Sequence, residues 1–246
     1  IMMGRRFEDS DGIISTQGAE ALFEPTIDLL GNAADITVAN LEIPLTNQGV
    51  PHPTKGIVFR SAPENVSGLI YAGIDVVSLA NNHILDYMET GMIQTMNILN
   101  EAGILHSGAG LNSYEAYSPA FKSVKGQTIA FLSTSDRTGQ YNNYQPFLHA
   151  GENKSGFAYM TPYYIKQQIQ SVKDFSDIVV VEMHAGSEYS LSPGSDYDYI
   201  DFPERFENLK TNPASQTGFT TNPKTGGEID DYSWRLDRPQ MWDRAI

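Results

Sequence analysis

Apolar runs rich in valine, isoleucine and leucine alternate with helix-like segments along this chain, and that alternation narrows its fold more than any other feature. "ADITVANLEIPL" (34–45) reads as a short strand ending near Ala39, "IDVVSLA" (74–80) as a second, "QTIAFLSTS" (127–135) as a third and "DIVVVEMHAGSEY" (177–189) as a fourth. Between them, "AEALFEPTIDLLGNA" has helical spacing at Leu22, Ile27, Leu29 and Leu30, with Pro25 disturbing its start. In "SAPENVSGLIYAG", Ser61 and Glu64 read as a capping box for a helix that Gly73 ends. "METGMIQTMNILNEAG" sets Met88, Met92, Met96, Leu99 and Ala102 on one helical face before Gly103, a face read as core packing. "TPYYIKQQIQSVKDF" predicts a helix capped by Thr161 with Pro162 in its first turn. Continuous apolar strands separated by helices imply an α/β fold, a parallel or mixed sheet covered on both faces.

In open α/β sheets, ligands bind beyond the carboxyl ends of the strands. The first strand delivers Asn40 and Glu42 there, the second Asn81, Asn82, His83 and Asp86, and the last His184 and Glu188. Taken singly these residues are unremarkable: asparagines form loops, a strand-end histidine is usually structural, and a glutamate usually faces water. Their convergence is what counts, since imidazole, carboxylate and amide oxygen together suit a divalent cation such as manganese, zinc or iron. With no cysteine in the chain, thiolate sites, disulfides and a cysteine nucleophile are excluded, which favours an open hydrolytic metal site. Glu42, Asn82 and His184 are the expected ligands, Glu42 bridging if two ions bind. His83 is expected to donate a proton or contact an oxyanion, with Asp86 holding its other nitrogen. Asn40, Asn81, Arg5 and Glu188 are candidates for substrate contact or for supporting the ligands, Glu188 also for ligation or for holding the backbone after the strand.

Other features limit the function. The net charge of −14, from 30 acidic against 16 basic side chains, disfavours nucleic acid and anionic membrane surfaces and permits cation binding. No stretch approaches the roughly 18 apolar residues a membrane span needs. Arg5, Arg6 and Arg60 could form a local basic patch, or simply sit on a solvated face. His52, His106 and His149 lack evident partners and read as structural or solvent-facing. "GAGLN" lacks the strand–loop–helix setting of a phosphate loop, and Ser133 and Ser135 have no triad partner in view. The tyrosine-rich stretches could bind sugar or peptide but carry only a weak signal.

The blocks "IMMGR", "ANLEIPLT", "SLANNHILDY", "GILHSGAGLNSYEAYSPAF" and "VVVEMHAGSEY", in order from residue 1 to about 189, resemble the bacterial capsule synthesis protein family CapA/PgsA of poly-gamma-glutamate biosynthesis. The resemblance implies kinship with calcineurin-like metallophosphoesterases and a layered α/β/β/α sandwich, mixed sheets flanked by helices. It places Glu42 at the bridging carboxylate, Asn82 and His184 at metal ligands and His83 at the catalytic histidine. Two metal ions are implied in the complete protein. Members usually carry Gly-Asp just before the position of Ile1 and a histidine-rich element after the helix expected near Arg238. Both lie outside this sequence, so the chain is expected to be a single metallophosphoesterase-like domain over 1–246, truncated at both ends, with a loop-rich insertion at about 190–232. Partners implied are the capsule or polyglutamate synthesis machinery or an anionic polymer. The implied location is extracytoplasmic, at the cell surface, although no targeting segment lies within these residues.

The expected function is thus metal-dependent hydrolysis in capsule or polyglutamate metabolism, with His83 protonating the leaving group. The alternatives are a non-catalytic accessory subunit that binds or anchors an anionic polymer, and a metallophosphatase for an unrelated small phosphate ester.

Overall fold

The computed structural model describes residues 1–136 and 148–185, together with the backbone of 139–140 and 143–144. Glu188, the 190–232 insertion and the helix expected near Arg238 lie outside the described residues.

Three parallel strands, β1 (Val38–Asn40), β2 (Val76–Ser78) and β3 (Leu105–Ser107), form one sheet in that order. Two short strands follow in the chain, β4 (Ala109–Gly110) and, further on, β9 (Gly156–Phe157), paired antiparallel. The second three-stranded sheet holds β5 (Ala120–Val124), β6 (Gln127–Ser135) and β10 (Ile178–His184), with β6 in the middle. β10 runs parallel to β6 and β5 antiparallel, so the sheet is mixed. The antiparallel pair, which the apolar runs did not announce, is made by a tight turn at Lys125-Gly126, both at positive φ (51° and 80°) as the hairpin twist requires. β7 (Gly139–Gln140) pairs antiparallel with β8 (Asn143–Tyr144).

Side chains alternate across each strand, so each sheet has two covered faces. Between the sheets, Val76, Ala120 and Phe131 are buried together, with Val38, Leu105, Ile129 and Val180 packed against them. The opposite face of the first sheet, through Val77, joins the largest core, which includes Leu69 of α2 (Val66–Tyr71) and Met92 and Leu99 of α3 (Met88–Glu101). Ala130, Leu132, Val179 and Val181 of the second sheet pack on Ile169 and Val172 of α5 (Pro162–Val172). The order of layers is helix, sheet, sheet, helix, the α/β/β/α sandwich. Met92 and Leu99 are fully buried, each contributing about 1.5–3 kcal/mol by leaving water; Met96 and Ala102 are partly buried beside them, as their spacing predicted. Thr161 caps α5 by accepting from the Tyr164 N–H at 3.1 Å, also as predicted.

Two local expectations are corrected. Residues 19–29 form 3-10 turns instead of an α-helix: Pro25 sits at the start of the second turn and Leu29 is 77% exposed. Ser61 does not cap α2; its hydroxyl donates to Glu8 Oε1, which also accepts from the Ala62 N–H and the Asn65 amide. Glu8 therefore gathers the polar groups ahead of α2.

The inter-sheet face changes character along the strands. Following the period of two, Val38 gives way to Asn40, Val76 to Ser78, Leu105 to Ser107, Phe131 to Ser133 and Ser135, and Val180 to Glu182 and His184. The seam is apolar where the parallel strands begin and polar where they end. Gly108 lets the sheets close there: at φ +94°, any Cβ would lie 2.6 Å from the Ala80 Cβ and 2.7 Å from the Ser133 Cβ. Ser133, for which the sequence suggested no partner, meets Ser107 at 2.7 Å between hydroxyls.

His106 is out of phase with this seam and lies on the Val77 face, towards the helical layer. Burial holds its imidazole below the ordinary histidine range, and burial together with the Lys55 charge does the same for His52. A base with a lowered folded pKa leaves the unfolded chain to take the proton first, so stability falls as pH drops below about 6.5. Melting temperature is therefore expected to be lower at pH 5.5 than at 7.5, with the slope reduced in His106→Gln. An unchanged slope in that variant would remove His106 as its source.

Candidate functional site

The polar end of the seam brings residues from both sheets together. β1 ends at Asn40 and Glu42 follows in a turn held by its N–H donating to Ile1 O at 2.9 Å. β2 leads through Leu79 and Ala80 into Asn81 and Asn82, and β10 ends at His184. His184 Nε2 lies 2.9 Å from Asn82 Oδ1 and 3.6 Å from Glu42 Oε1. These are the three residues expected as ligands, separated in sequence by as much as 142 positions (184 − 42) yet meeting at one point. The two separations bracket the spacing of adjacent donors on one ion, about 3–3.5 Å for ligand bonds of about 2.1 Å.

Asn40 and Asn81 support this set. Asn81 Nδ2 donates to Asn40 Oδ1 at 3.0 Å and to Leu41 O at 2.9 Å, while Asn81 Oδ1 accepts from the His83 N–H at 3.0 Å. Asn40 Nδ2 in turn lies 3.4 Å from both Glu42 Oε2 and His184 Nδ1. With Asn40 donating to Nδ1, the ring proton of His184 sits on Nε2 and points to Asn82 Oδ1; ligation of a cation through Nε2 would use the other tautomer, with the ring proton on Nδ1. Asn82 is buried, and its Nδ2 has no hydrogen-bond partner among the described residues. A structural asparagine in such a place normally uses both ends of its amide. One that presents only its oxygen, towards an imidazole nitrogen that itself lies near a carboxylate, fits a ligand. Among the described residues no three of His, Cys, Asp and Glu converge on a metal position; the amide oxygen completes this set.

His83, next to Asn82, is directed by a second network. Its Nδ1 lies 2.7 Å from Asp86 Oδ2, and its ring packs on Phe59 at 4.4 Å between centroids. Asp86 is fully buried. Besides His83 it accepts from the Phe59 N–H at 2.6 Å and from the Lys55 ammonium, which also donates to Asn82 O. The carboxylate thus fixes the imidazole tautomer and leaves Nε2 for a reacting group. The Lys55 side chain is 4% exposed, and burial pulls its ammonium below the usual lysine range while Asp86 opposes that shift.

Arg5 lies 5.0 Å over the Phe59 ring, so a guanidinium, a phenyl ring and His83 succeed one another at the edge of the site. Arg5 also has φ +57°, a backbone state that costs most residues free energy and gathers at functional sites. Arg60 lies 4.8 Å over the Tyr87 ring, and its carbonyl would be 2.2 Å from any Cβ on Gly4, so the two arginine-bearing segments cross beside the site. Arg6 stacks on Phe7 instead. Of the histidines read as structural, His52 is buried and its N–H donates to Asp86 O at 2.9 Å, and His149 is stacked at 4.8 Å on Tyr159.

Sequence reading missed Lys55 and Phe59. Both lie in "PHPTKGIVFR", where proline and glycine mark a loop and a lone lysine reads as solvated; only the proximity of that loop to Asp86 reveals them.

Comparison with known proteins bears out the family resemblance carried by the sequence blocks. A family model described as bacterial capsule synthesis protein PGA_cap matches residues 1–200. A capsule biosynthesis protein CapA of Bacillus anthracis is 29% identical over 200 residues, 78% of this chain and 46% of that protein. A PGA biosynthesis protein CapA of Bacillus subtilis is 30% identical over 195 residues, 78% of this chain and 49% of that protein. A probable polyglutamine synthesis accessory protein of Mycobacterium tuberculosis is 28% identical over 183 residues, 68% of this chain and 46% of that protein. The chain spans about half the length of the curated relatives it matches. Among solved structures, a putative 5'-nucleotidase from Staphylococcus aureus in complex with alpha-ketoglutarate is similar at a TM-score of 0.42 and 15% identity, over 79% of this chain and 37% of that one.

Proposed function

The chain belongs to the bacterial capsule synthesis protein PGA_cap family, and from that premise we propose that it carries the working part of a metal-dependent hydrolase acting in capsule or poly-gamma-glutamate biosynthesis. The observation that carries this reading is the meeting of Glu42, Asn82 and His184 beside an imidazole held by a buried carboxylate.

Glu42 Oε1, Asn82 Oδ1 and His184 Nε2 would hold a divalent ion such as manganese, zinc or iron. When bound, the ion supplies Lewis acidity and activates water at neutral pH. The remaining chemistry belongs to the chain. His83, oriented through Nδ1 by Asp86, protonates the leaving group from Nε2. Asn40 and Asn81 fix the ligand side chains, as partners one bond removed from a metal commonly do. Arg5 stands where it can meet an anionic group of the substrate, phosphate or carboxylate, and offsets locally the repulsion that a −14 chain would exert on a polyanion.

The test is turnover by the full-length protein with added manganese or zinc, on phosphodiester and gamma-glutamyl amide substrates, beside His83→Gln. Hydrolysis that needs metal and is lost in the variant supports the reading; no hydrolysis of either bond type overturns it. A second reading has support in the naming of the Mycobacterium tuberculosis relative as a synthesis accessory protein. In it the metal holds carboxylates of the polymer or joins the synthesis machinery without bond cleavage, and His83→Gln leaves function intact.

A further inference from the structure

Lys55 contacts both halves of the site, and none of the expected roles accounts for it. Its Nζ donates to Asp86 Oδ1, on the proton-transfer side, and to the carbonyl of Asn82, on the metal side. Its side chain is 4% exposed, turned inward from a loop that is exposed at Pro51, Pro53, Thr54, Gly56 and Ile57. That loop is fastened to the 82–86 turn by two further bonds, His52 N–H to Asp86 O at 2.9 Å and Phe59 N–H to Asp86 Oδ2 at 2.6 Å. Asp86 accepts from three donors on its two carboxylate oxygens, and without a lysine one oxygen would keep no partner. A carboxylate so released could rotate, and the imidazole it holds would rotate with it.

We infer that Lys55 is a positioning residue, clamping the Asn82 carbonyl to the Asp86 carboxylate so that the His83 ring stays in register with the metal ligands. The inference rests on the proposed role of His83 as proton donor. Lys55 acts only through Asp86 and the turn, touching neither substrate nor metal. A surface lysine making an opportune ion pair would have an exposed head and one partner; this one has a buried head and ties the start of the 82–86 turn to its end. Replacement of such orienting groups typically lowers activity about 10–100-fold.

The test compares Lys55→Met, Asp86→Asn and the double variant of the full-length protein. One readout is the low-field proton resonance of His83 Nδ1–H, the signature of its bond to Asp86. The other is kcat and KM for bis(p-nitrophenyl) phosphate with saturating manganese. Lys55→Met is expected to lose the resonance to exchange with water and to lower kcat about 10–100-fold with little change in KM. Because Lys55 works through Asp86, the double variant is expected to match Asp86→Asn. A folded Lys55→Met that keeps the resonance overturns the inference, as does a double variant whose loss is the product of the single losses. Should Lys55→Met fail to fold, the double variant, which carries no uncompensated buried charge, is compared with Asp86→Asn alone: equal kcat supports the inference and a further loss overturns it. If the unsubstituted protein shows no turnover, the hydrolase reading fails, while the resonance still decides the positioning role.

Discussion

Replacing His83 with glutamine is expected to lower the rate of hydrolysis by about 10²–10⁴-fold, the usual contribution of a positioned general acid. Metal content is expected to be unchanged, because the ring is held by Asp86 and Phe59 and is not one of the proposed ligands. Glutamine can still accept or donate a hydrogen bond towards Asp86 but has no proton to give at neutral pH, so the loss falls on kcat. Steady-state kinetics beside elemental analysis of the same preparation separates the outcomes. Loss of turnover with metal retained assigns proton transfer to His83. Undiminished turnover removes it from the chemistry and leaves the accessory-subunit reading the better account.

Asp86→Ala should produce the largest loss of stability of any single change at this site. Asp86 is fully buried and its partner Lys55 is 4% exposed, so the substitution strands an ammonium away from water. Breaking a buried pair in this way costs about 3–5 kcal/mol. The Phe59 N–H and His83 Nδ1–H lose their acceptor in the same step. The expected result in urea unfolding is a lower midpoint with little change in slope, which together give a loss of unfolding free energy of that size. Lys55→Met added to Asp86→Ala should recover part of the loss, since no charge then remains buried. A loss below about 1 kcal/mol would mean that the pair is wet and exerts little control over the loop.

The fold was legible in the sequence where apolar content is dense and uniform. The four apolar runs all contain strands, and the α5 start is written in Thr161 and Pro162. What the runs concealed is their period of two. Asn40, Ser78, Ser107, Ser133 and His184 sit in phase with inter-sheet valines and leucines, and only pairing of strands far apart in sequence makes that phase visible. The β5–β6 hairpin escaped notice because its turn, Lys125-Gly126, is short and its first strand, Ala-Phe-Lys-Ser-Val, is neither a continuous apolar run nor a polar–apolar alternation. Residues 19–29 misled through spacing alone: apolar residues at helical intervals are present, but Pro25 and tight turns leave Leu29 in water.

The candidate site divides along the same line. Glu42, Asn82, His83, Asp86 and His184 were legible because strand ends in α/β folds point to one region, and their residue types share one chemistry. Lys55 and Phe59 were not, since neither periodicity nor residue type distinguishes a loop lysine that turns inward from one that turns outward. Their placement follows from the demand of a buried carboxylate for donors, a demand that arises only once Asp86 has been covered.

Metal content measured on the full-length protein by elemental analysis, beside Glu42→Gln and His184→Ala, tests the central claim most directly. Stoichiometric manganese, zinc or iron in the parent, lost or strongly reduced in both variants, is the predicted result. A metal-free parent, or variants that hold as much metal as the parent, would contradict the assignment of this seam as a metal site.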